Sequence, residues 1–471
     1  MLTKIARLIH FSIVRVAGFL ALVSILIAAT PPLPATSALP ARSERPAQTI
    51  AHPRHVLVIS VDGMRADSYT HPMAAARIPN LLRMKKAGSY AEAVEGVYPT
   101  LTYPSHTTLV TGCVPAQHGI YTNLSSRVAG KNANDWFWFA KSIQCTTLWG
   151  EARKQGLTTA SVAWPVTAGA DIDWDVPEIW NPAEGMVADP LYVAKFMNPI
   201  FGLQMLGALG TPKPGMDSDV LRAHIAEYVI ETHKPNLVLV HLVDLDETQH
   251  ESGPRSPQAA ATLSRIDQRI SEILSAVQQA GLAGDTDVFI VSDHGFLPVK
   301  RVIHPNVLLV KAGLLTADAK GNITGGKIET VANGGSFFIY WPQPENLRAV
   351  VRRALEPLFD QKLDWAILGP DAMKDLGADP DAQMALDAPS GGMYDSAGQG
   401  ELVTAASGGD HGYLPFRAGL AASFIAWGPD IKSGMDLHRI RMIQVGPTIL
   451  KAMGISDPNF GDAPSLKDIW K

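Results

Sequence analysis

The sequence predicts a doubly wound α/β domain. Short, continuous apolar runs recur along the chain, stretches of helical periodicity lie between them, and 471 residues suffice to bury one large core. The first run extends from Val56 to Val61, between Arg54–His55 and Asp62–Gly63. A run of that length with no polar alternation suits a strand covered on both faces, as in a mostly parallel sheet. The pattern returns from Leu237 to Val243, from Val288 to Val291 and near Ser423 to Trp427. Between these runs, residues 217–232 open on an Asp cap, and residues 262–280 repeat Leu263, Ile266, Ile270, Ile273, Leu274 and Val277 on one helical face.

Residues from about 300 to 405 differ in character. Ser336 to Tyr340 reads as a strand and residues 344–359 as a charged amphipathic helix, followed by Pro- and Gly-rich turns. This segment is expected to be a smaller α+β subdomain inserted in a catalytic domain of residues 55–471.

The N-terminus carries Lys4, Arg7 and Arg15 ahead of an uncharged run from Val16 to Ala29, then a small-residue, Pro-rich stretch. That order predicts a signal peptide over residues 1–38, a linker over 39–54 and an exported product, periplasmic or secreted. A bilayer span needs roughly 20 apolar residues, which the run reaches only if residues before Arg15 are counted. No stable membrane span is therefore expected after cleavage. An oxidising compartment would let the two cysteines, Cys113 and Cys145, pair, although one bridge cannot be the main support of so large a core. Four-cysteine zinc sites are excluded by the count. A net charge of −5 gives no basic footprint for a nucleic-acid polymer.

Ligands of open α/β sheets bind beyond the carboxyl ends of the strands. The first run ends in Asp62, the second leads to Asp244 and Asp246, and the third to Asp293–His294; a second Asp-His-Gly stands at Asp410–Gly412. One such residue alone is more often a cap or a satisfied polar group. Several, arriving from separate strand ends, point to metal. Asp246 and His250, four residues apart, can face one ion from a helical turn, and Asp293–His294 can flank another. Carboxylate and imidazole ligands suit Zn²⁺, with Mn²⁺ or Fe as alternatives, and paired ions suit in-line displacement at phosphorus. Thr102 precedes what reads as a helix from Ser105. Its hydroxyl is either a helix cap or, beside a metal pair, a nucleophile at an anion-binding helix N-terminus.

These motifs resemble the nucleotide pyrophosphatase/phosphodiesterase family of the alkaline phosphatase superfamily. The resemblance rests on Val61-Asp-Gly-Met64, the Tyr98–Gly112 block, Pro115-Ala-Gln-His-Gly119, Asp246 with His250, Asp293-His-Gly295 and Gly409-Asp-His-Gly412, in the family's order. It implies an alkaline-phosphatase-like fold and two zinc ions. Asp246, His250 and His411 would hold one and Asp62, Asp293 and His294 the other, with Thr102 bridging and attacking phosphorus to form a phosphothreonine. Asp410 is then a turn residue, and His106 and His118 are structural. Tyr103 resembles the position that contacts the leaving group. Ser105 stands where relatives carry Asn, so a shorter hydroxyl would donate to phosphate there.

The expected substrate is a small phosphoester of nucleotide or phospholipid-headgroup type. Six tryptophans between Trp136 and Trp180 could stack on a base or surround an ammonium, although core packing is their commoner use. A phosphomonoesterase with the same metals is the nearest rival and would need cations such as Arg127, Lys131 or Lys141. A sulfatase would need Cys or Ser followed by Pro and Arg; Thr102 and His106 occupy those places, and Cys113-Val-Pro-Ala-Gln117 lacks the Arg. A non-catalytic binding homologue is the remaining alternative.

Overall fold

The computed structural model describes residues 54–125, 136–180, 190–210, 218–342, 346–359 and 364–471. Its centre is an eight-stranded sheet. The order is Met435–Asp436, Ser89–Tyr90, Phe424–Trp427, Thr286–Val291, His55–Val61, Leu237–Leu242, Thr159–Val162 and Trp174–Val176. The three strands at its heart are parallel, with Val58 opposite Leu239 on one side and Phe289 on the other. Phe424–Trp427 runs antiparallel to both neighbours. Its apolar run marked it as a strand, but direction is set by the connection and not by composition.

Both faces of the sheet are covered, which is why its strands lack polar alternation. Leu57, Ile59 and Val61 pack with Leu263, Ile266, Ile270 and Ile273 on one face. Val56 and Val58 pack with Leu109, Trp149 and Ile449 on the other. The helix holding those isoleucines spans Pro257–Gln279, five residues longer at its start than the periodicity predicted; Ser256 Oγ caps it by accepting from Ala259 N at 3.1 Å. The other helix that the periodicity marked spans Ser218–His233, and the Asp217 expected to cap it lies outside the described residues.

Between Arg301 and Ala405 the chain builds small sheets of its own. Glu329–Asn333, Ser336–Tyr340, Met384–Asp387 and Ala366–Leu368 form a four-stranded antiparallel sheet. The helix over it begins at Arg348, after the expected start, and buries Val351, Leu355 and Leu358 against Phe337 and Ile339. Cys113 and Cys145 are disulfide-bonded. Among the described residues no helix is long and apolar enough to cross a membrane. The expected signal peptide and linker, apart from Arg54, lie outside them.

Candidate active site

The carboxyl ends of the three central parallel strands lie side by side, so the residues that follow them converge. Asp62 leaves its strand into a turn at Gly63, where φ is +68°; a Cβ there would stand 2.7 Å from the Phe296 ring. Gly63 N donates to Asp293 Oδ1 at 3.1 Å, and Gln249 Nε2 donates to Gly63 O at 2.9 Å. His294 Nε2 lies 3.1 Å from Asp293 Oδ2 and 3.4 Å from Asp62 Oδ1. Asp62, Asp293 and His294 thus form one tight group.

The second group is Asp246, His250 and His411. Asp246 and His250 sit one turn apart on the Asp244–Ser252 helix, with His250 Nε2 3.4 Å from Asp246 Oδ2. Asp219 holds that helix's entry, accepting from Val243 N at 2.8 Å and Asp244 N at 3.2 Å. His411 Nε2 is 3.7 Å from Asp246 Oδ1. Gly412, at φ +89°, turns the chain where a Cβ would stand 1.9 Å from Asn333 O. The rings of His294 and His411 stack at 3.6 Å, so the two groups adjoin.

Within both groups, ligand atoms are sorted into tied and free. Gly63 ties one oxygen of Asp293, Gly295 O takes Nδ1 of His294, and Thr100 O takes Nδ1 of His411. Asp62 Oδ1, Asp246 Oδ1, Asp293 Oδ2 and His294 Nε2 are buried without a hydrogen-bond partner. Leaving such atoms unmatched costs about 1–3 kcal/mol each. Burial, then the charge of Asp246, pushes the Asp62 carboxyl well above its ordinary range; burial, then Asp62, does the same to Asp293. Burial first, with neighbouring imidazoles, lowers His294 well below its ordinary value and His411 to about 3. Neutral imidazoles and crowded carboxylates, each presenting one free atom, fit a divalent cation in each group.

Thr102 is the first residue of the Thr102–Thr111 helix, so the helix starts three residues before the expected Ser105. Leu101 is the cap position and no side chain caps it, which leaves the Thr102 hydroxyl out of that role. His106 Nδ1 donates to Thr102 O at 2.8 Å, and the same ring lies 3.6 Å from Asp293 Oδ2. Thr100, two residues earlier, holds His411 by its carbonyl. Thr102 is therefore bracketed by residues that touch each group.

Tyr103 is fully buried, its hydroxyl donating to Glu178 Oε1 at 3.2 Å and its ring 5.2 Å from Trp136. Ser105 is also fully buried, and its hydroxyl has no partner. Asn123 was not singled out in the sequence; its Oδ1 accepts Tyr103 N at 3.0 Å, which leaves the NH₂ end of the amide as a donor at the helix N-terminus. Glu178 and His241 were missed too. His241 had a signal, as the sole ionisable residue between Leu237 and Leu242.

Asp410 Oδ1 accepts His411 N at 2.8 Å. His118 pairs with the Thr108 hydroxyl at 3.1 Å, and His106 with the Ser60 hydroxyl at 2.9 Å. Trp138, Trp149 and Trp164 are buried, and Trp136 and Trp180 meet edge to face at 4.7 Å beside Tyr103. Arg127 and Lys131 lie outside the described residues, and Lys141 sits over Phe139.

Fold and site together define an α/β protein with two adjoining groups of residues able to hold a metal ion, and with Thr102 at the start of a helix whose flanking residues touch both. The family model of type I phosphodiesterase/nucleotide pyrophosphatase matches residues 56–366, and the chain belongs to that family, within the alkaline phosphatase superfamily. The chain is 24% identical over 433 residues to ectonucleotide pyrophosphatase/phosphodiesterase family member 1 of Mus musculus, covering 88% of this chain and 42% of the relative. It is 24% identical over 251 residues to the venom phosphodiesterase of Naja atra, covering 51% of this chain and 26% of the relative. The chain thus spans less than half the length of these relatives. Murine ectonucleotide pyrophosphatase/phosphodiesterase 5 has the same fold, with a TM-score of 0.62 at 18% identity over 87% of this chain and 97% of its own.

Proposed function

We propose that the chain is an exported two-zinc phosphodiesterase or nucleotide pyrophosphatase with Thr102 as nucleophile, its catalytic domain carrying an inserted subdomain over residues about 300–405. The observation that carries this reading is the pair of three-residue groups, each with at least one buried unpartnered ligand atom, adjoining through His294 and His411. Asp246, His250 and His411 would hold one ion, and Asp62, Asp293 and His294 the other. Zinc bound there supplies Lewis acidity, favouring the alkoxide form of a hydroxyl and offsetting phosphoryl charge.

The chain's own groups do the rest. Thr102 Oγ1 attacks phosphorus in line: the Thr102–phosphorus bond forms as the ester bond breaks, and the leaving oxygen departs with the electron pair. The NH₂ of Asn123 and the Thr102 N–H donate to the phosphoryl oxygens, since Tyr103 N–H goes to Asn123 Oδ1, Ser105 N–H goes to Leu101 O and Pro104 has none. Water then attacks phosphothreonine and restores the hydroxyl. A diester is favoured over a monoester because Arg222 is committed to Asp219 at 3.4 Å and Glu178 at 3.7 Å, while the wall beside Thr102 is aromatic. The Cys113–Cys145 bond supports export to an oxidising compartment.

Two measurements test this. kcat/KM for bis-para-nitrophenyl phosphate and para-nitrophenyl TMP is expected to exceed that for para-nitrophenyl phosphate, and a monoester preference would instead assign a phosphomonoesterase. Thr102→Ala is expected to keep its zinc and lose at least about a thousandfold in turnover; unchanged hydrolysis sinks the nucleophile assignment.

A further inference from the structure

The Leu237–Leu242 strand is buried along its length, and His241 within it is fully enclosed. An imidazole there is tolerated only if its nitrogens are bonded. Nδ1 lies 2.8 Å from Glu178 Oε2 and 3.1 Å from Ala163 O, and Nε2 lies 3.0 Å from Asp62 Oδ2. Ala163 adopts φ +54°, a left-handed backbone that alanine rarely takes, at the residue whose carbonyl meets the ring.

Glu178 extends the connection. Its Oε1 accepts the Tyr103 hydroxyl, and Arg222 lies 3.7 Å from Oε2. Burial alone would raise the Glu178 carboxyl, but His241, Arg222 and the Tyr103 hydroxyl outweigh it and hold it below its ordinary value. An unbroken line of contacts therefore runs from Asp62 through His241 and Glu178 to the tyrosine that follows Thr102.

We propose that His241 and Glu178 are positioning residues: His241 takes Asp62 Oδ2 so that Oδ1 alone faces the metal position, and Glu178 ties the same ring to Tyr103, setting metal group and leaving-group wall as one unit. This rests on the reading of Asp62 as a metal ligand and Tyr103 as a wall of the site. Oδ1 is the Asp62 oxygen left without a partner, which is what such sorting produces. A histidine that merely filled the core would have no reason to discriminate between the two groups of ligands, and that difference can be measured.

The experiment is a calorimetric zinc titration of wild type, His241→Phe and Glu178→Gln, each first compared by circular dichroism and thermal melting. Wild type is expected to take two ions. His241→Phe should hold one at wild-type affinity and bind the other about 10–100-fold more weakly. Adding Asp293→Asn should cost no further zinc than Asp293→Asn alone. Glu178→Gln should weaken the same ion by less and raise KM for bis-para-nitrophenyl phosphate more than it lowers kcat. Unchanged affinity for both ions in folded His241→Phe, or equal weakening of both, overturns the proposal. If His241→Phe does not fold, Glu178→Gln decides by the same criterion. A wild type that binds two ions but hydrolyses no ester overturns the proposed function and leaves this inference to stand or fall on the titration. A wild type that takes up no zinc overturns both.

Discussion

At the scale of single residues, what matters most is which atom of each side chain is already engaged. Asp293, His294 and His411 each spend one atom on a backbone group and keep the other for the site. Such placement cannot be read from residue type. A buried carboxylate away from the site shows the opposite case. Asp175, on an edge strand, is raised to about 8 by burial, against the pull of the Ser161 and Thr167 hydroxyls. Unfolded, it ionises near 4. The folded state therefore holds more protons between those values, and Asp175's contribution to stability is lost as pH rises from about 4 through about 8. Asp175→Asn should flatten that part of the pH dependence. Urea midpoints at pH 5 and pH 9 check this, with the variant gaining on wild type at the higher pH.

At the scale of elements, the Pro257–Gln279 helix illustrates how far pattern reaches. Its isoleucines at 266, 270 and 273 were legible because a helix with one face on a sheet must repeat apolar residues every three or four positions. Its start was not legible, since Ala259 and Ala260 extend the buried face without adding a strong periodic signal. Ile270→Ala should cost about 2–5 kcal/mol, because the side chain is fully buried between helix and sheet. Ser256→Ala should cost about 1 kcal/mol through loss of the cap. Equilibrium urea unfolding of both variants tests the ranking; an equal loss would mean that the helix is held by its end as much as by its face. The Thr102–Thr111 helix shows the converse limit. Its start fell at Thr102 and not at Ser105, and Tyr103 N went to Asn123, a side chain 20 residues along the chain.

At the scale of the whole molecule, two constraints beyond packing bear on stability. Three carboxylates, Asp62, Asp246 and Asp293, crowd like charges together among the six candidate ligands, so a cation that binds only the folded chain would stabilise it by mass action. Chelation should lower the melting temperature by several degrees, and zinc should restore it; a melt indifferent to both would argue against the metal reading. The Cys113–Cys145 bridge closes a separation of 32 residues. Chain-entropy reasoning puts its contribution at about 4 kcal/mol, so reductant should lower the urea midpoint without altering zinc stoichiometry.

The sequence by itself determined the α/β class, the central strands and the residues worth suspecting. Burial on both faces of a sheet dictates apolar continuity, and polar residues at the ends of such runs stand out. Tertiary structure alone decided the rest. It brought the two candidate ligand groups that the resemblance implied side by side, His294 stacked on His411, and turned Phe424–Trp427 against its neighbours. It also brought Asn123, Glu178 and His241 to the site from segments 118 residues apart at their extremes. A local pattern records which face of an element is buried. It does not record which distant side chain will receive a particular hydrogen bond, because that partner is chosen only when the sheet and its connections close around it.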